Sequence, residues 1–206
     1  MSLNFKRFLA ITLIFFSFSS IISAQNDEEK QEKVYVQLKP GFAVPLALGD
    51  NFLAQAYELK AGFLGEARVF FPNRIFLGIH GNFFKAEVID ATAVGDFERT
   101  NIWHNYVTGG YALLPRESDF GLEAGLGIGY TVFFNHGPDI RFHDDGFSAM
   151  ANLYANYRFS RVVGANLGVQ FSKDFLATQT APELEKFFKN ASILYFSTGL
   201  VFYINQ

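Results

Sequence analysis

The sequence predicts an all-β chain, an eight-stranded antiparallel up-and-down transmembrane β-barrel. Three observations carry that prediction. Apolar and polar residues alternate with period two through long segments. The connections between those segments are alternately short and long. The chain also opens on a segment of the type that directs export.

The opening segment comes first in the chain. Lys6 and Arg7 precede an apolar run, Phe8 to Phe18, broken by Thr12 and Ser17. Small residues Ile22, Ser23 and Ala24 follow, and then Gln25. A basic start, a short apolar core and a small-residue exit describe a secretory signal peptide over 1–24, cleaved after Ala24. The run falls short of the roughly 20 apolar residues that a bilayer-spanning helix needs. No Cys follows it, which excludes a lipid-anchored N-terminus. Residues 25–33 are polar, charged and without period, and are expected to form a disordered periplasmic lead-in. The barrel domain is expected over 34–206.

Composition removes several function classes. Without Lys6 and Arg7 the chain carries 15 basic and 20 acidic residues, so no basic face for nucleic acid is expected. There is no Cys, hence no disulfide and no thiolate metal site. The 26 Phe and 9 Tyr against 2 Met suit half-buried pleated surfaces.

Eight strands are expected, at 34–47, 57–71, 75–88, 101–114, 120–134, 146–159, 162–175 and 191–204. The fifth is the clearest. Phe120, Leu122, Ala124, Leu126, Ile128, Tyr130 and Val132 share one face, and Gly121, Glu123, Gly125, Gly127, Gly129 and Thr131 the other. Four such glycines would heavily penalise a helix. The second strand is read the same way, with Tyr57, Leu59, Ala61 and Phe63 opposite Glu58, Lys60, Gly62 and Leu64. The fourth, 101–114, alternates poorly, so its facing stays open.

The second, fourth and sixth connections are short: Pro72 to Arg74, Pro115 to Asp119, and Ser160-Arg161. The first, third, fifth and seventh are longer: 48–56, 89–100, 135–145 and 176–190. Short periplasmic turns and long outer loops are the expected rhythm of an outer-membrane barrel. A lipid-exposed sheet edge would leave backbone groups without partners, so such a sheet must close. The apolar faces then look outward to lipid and the polar, glycine-rich faces inward. Tyr57, Trp103, Tyr130, Phe147, Phe159 and Phe202 lie near strand ends, where interfacial aromatic girdles form. A soluble lipocalin-like barrel is the alternative, and it would reverse these faces.

Eight strands enclose a space that side chains nearly fill. The inward set is expected to build a polar network from Lys39, Glu58, Lys60, Glu66, Arg68, Glu123 and Arg158, with His80, Asn152, Asn156, Asn166 and Gln170 nearby. Buried charges need opposite partners. The narrow bore favours structural plugging over an ion path.

The leader, eight amphipathic strands, alternating connections and aromatic last strand resemble the small outer-membrane β-barrel family. That family includes the transmembrane domain of outer membrane protein A and outer membrane protein X. The resemblance covers 34–206. The ending Gly199-Leu200-Val201-Phe202-Tyr203-Ile204-Asn205-Gln206 resembles the signal read by barrel-assembly machinery, but with two polar residues after the last apolar one. The resemblance implies a monomer in the outer membrane of a Gram-negative bacterium, with both termini periplasmic. Its implied partners are outer-membrane lipid, lipopolysaccharide and, during insertion, the assembly machinery. No cofactor and no metal are expected.

The densest polar stretch is the fifth connection, with His136, His143, Asp144 and Asp145. A His oriented by an Asp, with Ser148 as nucleophile, would be a hydrolytic arrangement. The same groups suit a divalent cation. The deacylase-type barrels of this family carry His-x-Ser on a strand, whereas His136 and His143 are followed two residues later by Pro138 and Asp145. The acyltransferase type carries a helix before its first strand, which 25–33 does not resemble. In the seventh connection, Pro182, early acids and late lysines predict a short helix with Leu184, Phe187 and Phe188 on one face, expected to cap the barrel mouth, the alternatives being the membrane surface or a partner. The four long connections hold nine acidic and four basic residues, which disfavours polyanions. The expectation is a non-enzymatic, plugged barrel with a structural or surface-interaction role through its outer loops. The alternatives are a narrow channel or carrier for a small or apolar solute, and a lipid A-modifying enzyme.

Overall fold

The computed structural model describes residues 34–95, 97–116, 118–137, 141–178 and 180–204. The expected signal peptide and lead-in lie outside these residues. Strands run in chain order as β1 (Tyr35–Leu48), β2 (Tyr57–Leu59), β3 (Gly62–Phe70), β4 (Ile75–Val88), β5 (Arg99–Ala112), β6 (Phe120–His136), β7 (Arg141–Arg158), β8 (Val163–Leu176) and β9 (Asn190–Ile204). β2 and β3 are two parts of one staves-length strand. Each neighbour pair is antiparallel, and β1 pairs with both β3 and β9, which closes the sheet into an eight-stranded barrel. Both described ends of the chain and the three short turns lie at one end, called here the turn end. The opposite end is the loop end.

The faces follow the expected sense. Phe42, Phe63, Val107, Leu126, Ile128, Leu167 and Leu200 point outward and are exposed. Lys39, Arg68, Glu123, Asn152 and Gln170 point inward and are buried. A soluble barrel would show the reverse. Trp103, Tyr130, Phe147, Phe159 and Phe202 are on the outer face. Tyr57 is not, being turned inward and buried.

Tyr57 is displaced by a β-bulge. Leu59 stands opposite Ala86, but Phe63 stands opposite Phe83. Four steps on one strand therefore match three on the other, with the extra residue at Lys60-Ala61. A bulge reverses the alternation beyond it. Inside faces resume at Gly62, while Glu58 is left outside. The fourth expected strand, 101–114, is β5, which runs two residues earlier at Arg99–Ala112. Its Ile102, His104, Tyr106 and Thr108 face in, and Trp103, Asn105 and Val107 face out.

The fifth connection is shorter than the sequence suggests. β6 and β7 stay paired as far as His136↔Arg141. A ladder needs only backbone groups, so polar side chains do not end it. The first connection folds into the mouth rather than away from it. Asn51 Oδ1 accepts from the amides of Leu53 and Ala54, both at 3.1 Å, and caps helix α1 (Phe52–Ala56). Leu53 and Ala56 are fully buried. Helix α2 (Ala91–Val94) is capped by Asp90, whose carboxyl is held below the usual carboxylate range by hydrogen bonds from the Thr92 hydroxyl and amide. A 3-10 turn at Pro182–Leu184 leads into α3 (Glu185–Phe188). Phe187 and Phe188 pack toward the mouth, whereas Leu184 stays exposed.

Candidate functional site

The bore is filled in layers. At the turn end Tyr35, Phe70, Phe76, Val201 and Tyr203 form an apolar floor. Tyr35 stacks on Phe70 with ring centroids 4.7 Å apart.

Above the floor lies an ionic layer centred on Glu123. Oε1 accepts from Asn156 Nδ2 at 2.7 Å and Gln37 Nε2 at 3.1 Å. Oε2 accepts from Arg68 Nη1 at 2.6 Å and from Lys39 Nζ. Arg68 Nε meets Glu66 Oε1 at 2.7 Å, and His80 Nδ1 lies 3.7 Å from Glu66 Oε2. The Arg68 guanidinium also sits 4.1 Å from the Phe76 ring centre. Lys39 and Arg68 are wholly excluded from solvent. Two cations and two carboxylates balance, which is the condition for burying such groups at all.

Three expected members of this layer stand elsewhere. Glu58 and Lys60 are on the outside, where Lys60 Nζ pairs with Glu58 at 2.8 Å and Glu87 at 3.1 Å. The bulge put them there. Arg158 lies at the turn end, donating to the Arg116 carbonyl at 3.1 Å beneath the Tyr203 ring.

A second buried polar group, outside the inward network expected from the sequence, sits nearer the loop end. His104 Nε2 and Asp174 Oδ2 are 2.9 Å apart. Ser148 Oγ donates to Asp174 Oδ1 at 2.5 Å, and Tyr106 OH lies 2.9 Å from Ser148 Oγ. Tyr195 OH is 3.5 Å from His104 Nδ1. All are buried. The signal was His104 and Asp174 on inward positions, hidden by the irregular alternation of β5 and by Asp174 lying near a strand end.

The loop-end mouth is apolar. Leu53 and Ala56 of α1 join Phe84, Ile102, Phe133, Leu176 and Ile193 in one buried cluster. Above it a cavity of about 510 Å³ is lined mainly by aromatic rings from several loops and strands. The Phe52 ring lies 5.9 Å from Phe133, 5.8 Å from Phe188 and 6.0 Å from Tyr57. Its polar edge holds Asn135, His143 and Asp144. Asn135 Nδ2 donates to Asp144 Oδ2 at 3.1 Å, while Asn135 Oδ1 accepts from Thr100 at 2.6 Å. The carboxylate is thus held at the rim by a side chain that is itself held.

The fifth-connection residues are brought together only in part: His143 and Asp144 both line the cavity, whereas His136 and Asp145 do not. Strand alternation on β7 puts Asp144 on the inner side and His143 and Asp145 on the outer. His143 lies beside Phe134, and His136 Nδ1 is 3.0 Å from the Phe134 carbonyl. Ser148 is deep in the bore, bonded to Asp174. Among the described residues no cluster of three His, Asp or Glu side chains is arranged to hold a metal.

No family model and no curated protein matches the sequence. Solved structures do match. The outer membrane protein OprG of Pseudomonas aeruginosa superposes with a TM-score of 0.55 at 12% identity, over 87% of this chain and 100% of that one. Neisserial surface protein A gives 0.54 at 12% identity, over 82% and 96%. The outer membrane protein AlkL, solved in lipid bilayers, gives 0.54 at 11% identity, over 89% and 96%. The likeness is one of fold: the chain has the eight-stranded architecture of the small outer-membrane β-barrels.

Proposed function

We propose that the chain is an integral outer-membrane protein with both termini periplasmic, non-enzymatic, and sealed along its bore. Its role is structural or one of surface interaction, exercised at the loop end. The sealed interior carries this reading. An apolar floor, an ionic layer, a second polar layer and an apolar lid are stacked in series, and Lys39, Arg68, His104, Asp174 and Leu53 are all fully buried. The exposed apolar outer face supports a lipid surround, where each backbone group must be paired within the barrel. His143 and Asp144 line the mouth, but Ser148 is buried in the bore against Asp174, and that separation speaks against hydrolysis of lipid A by these three residues. Partners are outer-membrane lipid and lipopolysaccharide, with the assembly machinery during insertion.

A second reading has one observation in its favour. The aromatic cavity at the mouth suits a carrier or receptor for a small, largely apolar solute.

Trypsin on intact cells tests the first reading. Cleavage is expected after Lys186 or Lys189 in the seventh connection, and after Arg161 only in permeabilised cells. Cleavage at Arg161 on intact cells would reverse the orientation. Stepwise conductance of the purified protein in planar bilayers would overturn the sealed bore.

A further inference from the structure

We infer that the loop-end cavity is a binding site for an organic cation with an apolar body, of the quaternary ammonium type. The inference rests on the second reading above, that the mouth takes a small solute, and specifies the charge of that solute.

Size comes first. About 510 Å³ lies within the range of small-molecule sites, roughly 300–1,000 Å³. Chemistry narrows the class. Tyr57, Phe133, Phe142 and Phe188 supply aromatic walls, and Asp144 supplies the carboxylate. None of the described lining residues is Lys or Arg. An anion would meet Asp144 and ring faces that carry negative partial charge. A neutral hydrocarbon would fill the space but strip water from the Asp144 carboxylate without replacing it. A cation answers both features. Its charge sits over ring faces, which attract it electrostatically, and it offsets the charge of the carboxylate whose Oδ2 already accepts from Asn135. A quaternary head is weakly hydrated and donates no hydrogen bonds, so a wall of rings can replace its water at little cost. Asp144 is aimed for this role by Asn135, which Thr100 fixes in turn.

The test uses the full chain in lipid nanodiscs, with empty nanodiscs as the reference titration. The probe is benzyltrimethylammonium, and its neutral isostere is neopentylbenzene. The native chain is expected to bind the cation at least about tenfold more tightly than the isostere. Asp144→Asn should abolish that preference by weakening the cation and leaving the isostere unchanged. Phe142→Leu, at a half-exposed position, should weaken the cation severalfold while the barrel stays heat-modifiable in detergent gels. Equal binding of cation and isostere to the native chain would overturn the inference and leave an apolar-solute site standing. Binding of neither to the folded chain would overturn both. A cation preference that survives Asp144→Asn and Phe142→Leu would also overturn it, because the cation would then sit elsewhere.

Discussion

Arg68 and Glu123 meet across the bore, guanidinium Nη1 to carboxylate Oε2 at 2.6 Å, although their strands β3 and β6 share no edge. One side-chain pair spans the interior. The same carboxylate takes Lys39, Gln37 and Asn156 from β1 and β7. Glu123 therefore ties four strands, none of them sequential to all the others.

Removing that carboxylate should be severe. Glu123→Ala leaves Lys39 and Arg68 buried with one carboxylate between them, and loss of one partner from a buried ionic group costs about 3–5 kcal/mol. Glu123→Gln keeps the shape and one acceptor oxygen, and should lose less. Urea unfolding in phospholipid vesicles, read by gel mobility, measures both. A loss under about 1 kcal/mol for Glu123→Ala would show that the layer does not hold the barrel together.

Lys60 gives the contrasting case. Its pairs with Glu58 and Glu87 are on the surface, with all three side chains substantially exposed. Exposed pairs contribute little, because water and salt screen them and ordering two long side chains costs entropy. Lys60→Ala should thus leave the unfolding midpoint nearly unchanged in the same assay. A loss comparable to Glu123→Ala would argue that Lys60 turns inward in the membrane.

Glu58 and Lys60 also mark the limit of what was legible in the sequence. The fold was legible because inward and outward faces differ in polarity over most strands, above all β6 and β8. One inserted residue at Lys60-Ala61 carries no such signature, since the chain on either side still alternates. β5 was unreadable for a different reason: it hides Ile102 and Tyr106 inside while setting Asn105 outside, so hydrophobicity does not separate its faces. The His104–Asp174 pair was lost with it. The polar side chains at 141–145 suggest a loop, but they do not report backbone state, and the ladder there continues to Arg141. The plug by α1 needed the shape of the mouth, which no local pattern contains.

The second polar layer predicts a graded series. Asp174→Ala takes the carboxylate acceptor from His104 and from Ser148, both fully buried, and leaves Ser148 only Tyr106 and a long contact of 3.4 Å to the Lys173 carbonyl. A buried group left without its acceptor costs about 1–3 kcal/mol. Ser148→Ala removes one donor and leaves His104 to serve Asp174, so it should lose about 1 kcal/mol. The order, Asp174→Ala well below Ser148→Ala, is checked by the same vesicle unfolding. The reverse order would mean that Ser148, through Tyr106, is the anchor of the layer.

Gly168 predicts a steric failure. Its inner side faces the Tyr154 ring and Ser197 Oγ so closely that an added Cβ would overlap the ring. Tyr154 in turn lies 4.8 Å from Lys39 and 4.9 Å from Arg68. Gly168→Ala must push that ring toward the ionic layer, at about 1–3 kcal/mol for overpacking. The double variant Gly168→Ala with Tyr154→Phe keeps the ring and should recover nothing, because the clash is with ring carbons. Recovery would locate the strain at the hydroxyl.

The lid and the ionic layer seal the bore independently, and this separates stability from conductance. Leu53 is fully buried in the mouth, so Leu53→Ala should cost about 2–5 kcal/mol, toward the low end if α1 can settle into the space. Yet Lys39, Arg68, Glu66 and Glu123 still fill the bore below it. An ion crossing there would have to part pairs that exclude water altogether. Leu53→Ala should therefore be destabilised in vesicles and electrically silent in planar bilayers. Conductance steps in Leu53→Ala, with none in the native chain, would mean that α1 alone closes the barrel and that the ionic layer opens when the lid is loosened.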